Sequence, residues 1–205
     1  MPIDQIALLE KIIHIQSCVI EGHSFKAILR KETAFLKEES GADFIVICLE
    51  NRDRVDIELV LDEKRRFISL MRKYKFSPRR LELKKFTQQC HEHFVNARDY
   101  IKIDSLYNLF HGTLSKKKSS EFEKDMDFKY GLLFPLHNSG GKKIGFVIYV
   151  FTAEAKLKEN SLMSITQLFE HLIRPFYNDK TGILSAKCVQ VDEKMQRLTA
   201  KEKMI

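Results

Sequence analysis

At 205 residues, 44% hydrophobic and 31% charged, the chain has the make-up of one globular domain or a domain with a tail. Its 15 Phe and 6 Tyr exclude wholesale disorder, while 8 Gly and 4 Pro exclude a fibrous or low-complexity protein. The net charge of +7 belongs to one segment: Glu63 to Lys85 carries ten Lys or Arg against two acids, Glu63 and Glu82, and the remainder sums to −1.

The start, Met1-Pro2-Ile3-Asp4-Gln5, lacks the basic opening of a signal peptide, which predicts a cytoplasmic protein. The longest unbroken apolar stretch, Ile144 to Phe151, has eight residues where a membrane span needs ~20, so no membrane is expected. Cys18, Cys48, Cys90 and Cys188 have no paired spacing and are expected as free thiols.

Ile3 to Glu21 predicts a helix with two apolar stripes, Leu8, Ile12, Ile15 and Val19 on one and Ile6, Leu9, Ile13 and Ile20 on the other. Such a helix needs two partners. The second stripe, with Leu168 and Ile173 of the last helix, therefore predicts a homodimer. Gly22 ends the helix, and Ser24 can cap a second one, Phe25 to Glu39, which Ser40-Gly41 closes. Ala42 to Glu50 is a continuous β-branched and aromatic run, as for a central strand. After a polar turn, Val55 to Leu61 alternates, with Val55, Ile57, Leu59 and Leu61 on one face, and completes an antiparallel hairpin.

In the basic segment, Asp62 can cap a short helix carrying Phe67, Ile68, Met71 and Tyr74. Ser77-Pro78 starts another, with Leu83, Phe86, Cys90, Phe94 and Ala97 as its buried stripe. A short strand is expected near Leu106 to Leu114, then a polar loop over Ser115 to Ser120 with the Lys116-Lys117-Lys118 run at its tip. Tyr130 to His137 and Lys143 to Phe151 flank Asn138-Ser139-Gly140-Gly141, a hairpin. Asn160 or Ser161 then caps a helix over 161–176 with Leu162, Ile165, Phe169, Leu172 and Phe176 on one face, and a polar tail follows from Tyr177.

This order of elements resembles the GAF domain, a sensor module. The resemblance is most specific at Leu133-Phe134-Pro135-Leu136, Gly140-Gly141 and Ile144-Gly145-Phe146-Val147-Ile148, and it covers residues 1–177. It implies an α+β fold: an antiparallel sheet with N- and C-terminal helices packed on one face and a helical insert on the other. It also implies that the insert covers a ligand pocket, for which Tyr107, Phe110 and His111 are candidate lining residues, or else core aromatics. Related PAS folds end on a strand, whereas this core ends on a helix. In the tail, 178–205, Leu198-Thr199-Ala200-Lys201-Glu202-Lys203-Met204-Ile205 resembles the opening of a LuxR-type helix-turn-helix domain, with Thr199 and Glu202 able to form a capping box. Asp179-Lys180-Thr181-Gly182-Ile183 resembles, more faintly, the entry to a diguanylate cyclase domain. The implied arrangement is a sensor ahead of an output domain, the one part through which DNA would be reached.

Cys90-His91-Glu92-His93 is the densest cluster of possible ligands. On a helix only Cys90 and His93 share a face, too few for zinc, so a core cysteine with surface histidines is the plainer reading. A Cys-His pair also marks bilin attachment in some phytochrome-type GAF domains, where a strand follows closely; here about 40 residues separate it from Tyr130. The Asn-Lys, Phe and Asp-Glu constellation of cyclic-nucleotide GAF domains has no match, and no phosphate loop or nucleophile elbow is present. No enzyme is expected and no cofactor is indicated. Arg65, Arg66, Arg79 and Arg80 are candidates to hold an anion, or else belong to a solvated face. The expected function is a non-catalytic sensory domain that binds a small ligand or dimerises and signals to a transcriptional output. The alternatives are a nucleic-acid- or anion-binding module using residues 63–85, and a metal or thiol-redox protein using Cys90, His91 and His93.

Overall fold

Strands apolar at odd and even positions alike must be covered on both faces, and the structure places three such runs side by side. This computed structural model describes residues 5–51, 54–62, 65–75, 100–109, 115–154 and 157–177. In chain order they form α1 (Gln5–Ile20), α2 (Phe25–Lys31), α3 (Thr33–Ser40), β1 (Phe44–Asn51), β2 (Arg54–Leu61), α4 (Arg66–Lys73) and β3 (Ile101–Ile103). Then follow α5 (Leu106–Leu109), α6 (Lys116–Met126), β4 (Tyr130–His137), β5 (Lys143–Phe151) and α7 (Glu159–Tyr177). The five strands make one antiparallel sheet in the order β2-β1-β5-β4-β3.

The sheet divides the core in two. On the first face Ile45, Ile47 and Leu49 of β1 and Val147, Tyr149 and Phe151 of β5 meet Ile15 of α1, Leu29 of α2, Leu36 of α3 and the apolar side of α7. On the second face Phe44, Val46 and Cys48 of β1 and Phe146, Ile148 and Val150 of β5 meet α4, α5 and α6. The architecture is the expected α+β one, with terminal helices on one face and the insert on the other. A side-chain bond ties the layers: the buried Tyr149 hydroxyl lies 2.9 Å from Thr166 Oγ1 on α7.

Several expectations need correction. The helix over Phe25 to Glu39 is broken at Glu32 into α2 and α3. The Thr33 hydroxyl donates to the Leu29 and Arg30 carbonyls, at 3.2 and 2.8 Å, and such back-bonding bends a helix. Strand β2 does not alternate on one face. A β-bulge between Ile47 and Cys48 pairs Leu59 with Ile47 but Ile57 with Cys48. Leu59 and Leu61 therefore join the first core while Ile57 and Val60 lean on the second.

The strand expected near Leu106 to Leu114 is instead β3 at Ile101–Ile103, followed by α5. The loop expected over Ser115 to Ser120 is the first turns of α6. Ser115 Oγ accepts a bond from the Lys118 amide at 3.4 Å, and Ser119, Phe122 and Met126 turn inward at helical spacing. Lys116 to Lys118 stay exposed on the helix rather than at a loop tip. Arg65 occupies the cap of α4, where Asp62 Oδ2 still accepts from the Phe67 amide at 2.7 Å. Helix α7 begins at Glu159, just ahead of the expected Asn160 or Ser161. The helix from Ser77 to Ala97, the tail 178–205 and the side chain of Phe176 lie outside the described residues.

The two stripes of α1 are as read. Leu8 and Ile15 are buried, whereas Ile6, Leu9, Ile13 and Ile20 are 64, 56, 61 and 85% exposed. Leu168 and Ile173 are not on an outer face, however; each is 1% exposed inside the first core, and among the described residues of α7 the exposed large apolar side chain is Met163.

Candidate functional site

The face under the insert is where the GAF resemblance implies a ligand pocket, or else an aromatic core. Its residues come from the even positions of β1 and β5, from Ile103 of β3 and Leu133 of β4, and from the inner sides of α4, α5 and α6. Phe44, Phe67 and Phe122 form a chain of tilted and edge-on rings with centroids 5.9 and 6.0 Å apart, and Tyr74 meets Phe122 at 5.5 Å. Such aromatic contacts stabilise beyond area alone and join the sheet to α4 and α6.

Around that apolar contact runs a polar clamp between α4 and α6. Lys73 Nζ and the Tyr74 hydroxyl donate to Asp125 Oδ2 at 2.5 and 2.8 Å. Arg66 Nη2 donates to Asp127 Oδ2 at 2.6 Å and to the Asp125 carbonyl at 2.7 Å. The bonds from Lys73 and then Tyr74 hold the Asp125 carboxyl below its ordinary range, and the same bond to Asp125 raises Lys73. Tyr74 is raised, first by desolvation and then by that carboxylate. Glu123 works inward, accepting from Ser105 Oγ at 2.8 Å and from the Leu106 amide at 2.5 Å, which fixes α5 beneath α6.

Of the candidate pocket residues, Tyr107 is half-buried on α5 with its amide bonded to Ser105 Oγ, while Phe110 and His111 lie outside the described residues. Of the candidate anion residues, Arg66 is engaged with Asp127 and Arg65 is exposed at the cap of α4 in a left-handed conformation; Arg79 and Arg80 lie outside the described residues. Cys90, His91 and His93 also lie outside the described residues, and β3 begins close behind them, so the long strand-free gap expected after the Cys-His pair is not there. Among the described residues no group of three His, Cys, Asp or Glu is placed to hold a metal ion. Burial pushes the Cys48 thiol far up, leaving it an inert core residue.

Two groups escaped sequence reading. Asp125, in α6, and Asp127, at its C-terminal cap, were hidden because the expected loop over Ser115 to Ser120 concealed the start of that helix; Ser115 followed by inward positions at 119, 122 and 126 was the available signal. The other is a junction at the end of β4. Glu170 Oε1 on α7 accepts from the His137 amide at 2.7 Å and lies 3.2 Å from its ring Nδ1. Arg174 binds Glu170 Oε2 at 3.0 Å and the His137 carbonyl at 3.1 Å. This junction fastens the β4–β5 hairpin to the last helix, a contact between distant segments that no local pattern announces.

No family model matches the chain, and no curated protein does. Solved structures do. The phycoerythrobilin-bound GAF domain of a cyanobacterial phytochrome superposes with a TM-score of 0.54 at 13% identity, over 85% of this chain and 96% of that one. The phycocyanobilin-bound GAF domain of a cyanobacterial phytochrome gives 0.50 at 12% identity, over 85% and 93%. Among the described residues no helix is long and apolar enough to cross a membrane. With the five-stranded sheet between two helical layers, the likeness establishes the fold: this chain has a GAF-like α+β fold.

Proposed function

We propose that this chain is a non-catalytic, cytoplasmic sensory domain that works as a homodimer and passes its signal along α7 to a C-terminal output, a transcriptional regulator. The observation that carries this reading is the exposed apolar stripe of α1, Leu9, Ile13 and Ile20, in a fold whose last described helix, α7, immediately precedes residues 178–205 in the chain. The His137, Glu170 and Arg174 junction supports it, because a shift of the hairpin would reach α7 through fixed bonds. The phytochrome domains with this fold carry bilins. By that likeness this chain is read as binding a small molecule. The engagement of Arg66 and Lys73 with acids of α6 argues against the insert as a nucleic-acid surface. Native mass spectrometry of the full chain tests the reading: two chains with a retained small molecule are expected, and a bare monomer at all concentrations would overturn it.

A further inference from the structure

Arg72 is exposed in the last turn of α4, and unlike Arg66 and Lys73 it makes no ion pair among the described residues. It lines a cavity of about 330 Å³ that wraps the outer edge of β2. That edge is the margin of the sheet. Ile57, Val60 and Met71 form the floor from the second face, Ile68 of α4 joins the lining, and Leu59 adds to the floor from the first face. Arg30, exposed in the last turn of α2, enters from the opposite side and is likewise without an ion pair among the described residues.

The bulge in β2 builds this cavity. By setting Ile57 and Leu59 on opposite faces it spreads an apolar floor around the strand edge, where strict alternation would have put both on one side. It also leaves Glu58, the extra residue, in the lining, and Lys26 of α2 neutralises that carboxylate through an ion pair. What remains is an apolar floor beneath two uncompensated guanidinium groups. Guanidinium is the side chain best shaped to hold carboxylate or phosphate through paired bonds.

We infer that the β2-edge cavity binds a small organic anion, a carboxylate or phosphate monoester on a compact apolar body, with Arg30 and Arg72 holding the charge. The volume lies at the lower end for ligand sites, which limits the body to about one ring or a short branched chain. The inference rests on the sensory reading only in treating that anion as a signal.

Titration of the full chain with phenyl phosphate and phenylacetate, followed by methyl-resolved NMR, tests it. Shifts are expected at Ile57, Val60, Ile68 and Met71, and affinity should fall as salt rises. Arg30→Gln and Arg72→Gln, both exposed and so expected to fold, should each weaken binding about tenfold or more. Phenylacetamide should bind at least about tenfold more weakly than phenylacetate. A preference for either anion supports the site and identifies the head group. Unchanged affinity in both variants, shifts confined to other regions, or inorganic phosphate matching phenyl phosphate would each overturn it. If these probes fail while the purified dimer still carries a small molecule, the cavity is excluded and the sensory reading stands.

Discussion

Gly145 is a point where β5 leaves no room for a side chain against β1. It faces Leu49 in the ladder, and a Cβ there would sit 2.2 Å from the Cys48 carbonyl oxygen and 3.0 Å from the Leu49 Cα. Both neighbours are backbone in central strands and cannot yield. Gly145→Ala should therefore destabilise the domain by about 3 kcal/mol, read as a lower urea midpoint, and an unchanged midpoint would refute this packing. The glycine was legible as part of a family pattern, but its reason lies in a long-range contact. Glu39 was not legible at all. It is 7% exposed at the end of α3, one carboxylate oxygen has no partner among the described residues, and desolvation raises its pKa above the ordinary 4.5 despite Lys158 nearby. The folded state then holds that proton more tightly than the unfolded chain. Its contribution is favourable at low pH and is lost as pH rises through the raised value. Melting temperatures between pH 4.5 and 7 should show the parent gaining on Glu39→Gln as pH falls; parallel curves would contradict the assignment.

At the scale of elements, the two hairpins were legible because each is a pair of contiguous apolar runs around a polar turn. The bulge in β2 was not, since Val55 to Leu61 satisfies simple alternation and only the partner strand reveals the slip. Helix α6 was hidden by its composition: three lysines stand in its first turn, where the helix dipole favours acids. Tertiary burial of Phe122 and Met126 outweighs that local cost. The clamp between α4 and α6 makes a testable claim. Exposed ion pairs contribute little to global stability, so Asp125→Asn should leave the melting temperature nearly unchanged. It should nonetheless loosen the insert, raising amide exchange several-fold across Arg66–Lys73 and not in β1 or β5. Because Asp125 is held below its ordinary range, the same loosening should appear in the parent only as pH falls through that lowered value. Exchange in α4 indifferent to both changes would place its anchorage in the aromatic contact alone.

At the scale of the molecule, the described residues leave a row of large apolar side chains in water. Leu9, Ile13 and Ile20 are all more than half exposed on α1, with Ile6 beside them and Met163 exposed on α7. Each such aliphatic side chain contributes ~1.5–3 kcal/mol when fully buried, more than a marginally stable domain would leave exposed. The sequence reading found this stripe but assigned Leu168 and Ile173 to it as well. Periodicity marks which residues share a helix face and is silent on which face the sheet will cover. The contact is accordingly expected to centre on α1, across the two-fold axis usual for homodimers. Light scattering of the full chain at micromolar concentration tests this most directly. The account predicts the mass of two chains of 24.1 kDa for the parent and of one for Leu9→Glu combined with Ile13→Glu, with the fold retained. A parent that stays at 24.1 kDa, or a double variant that remains dimeric, would contradict it.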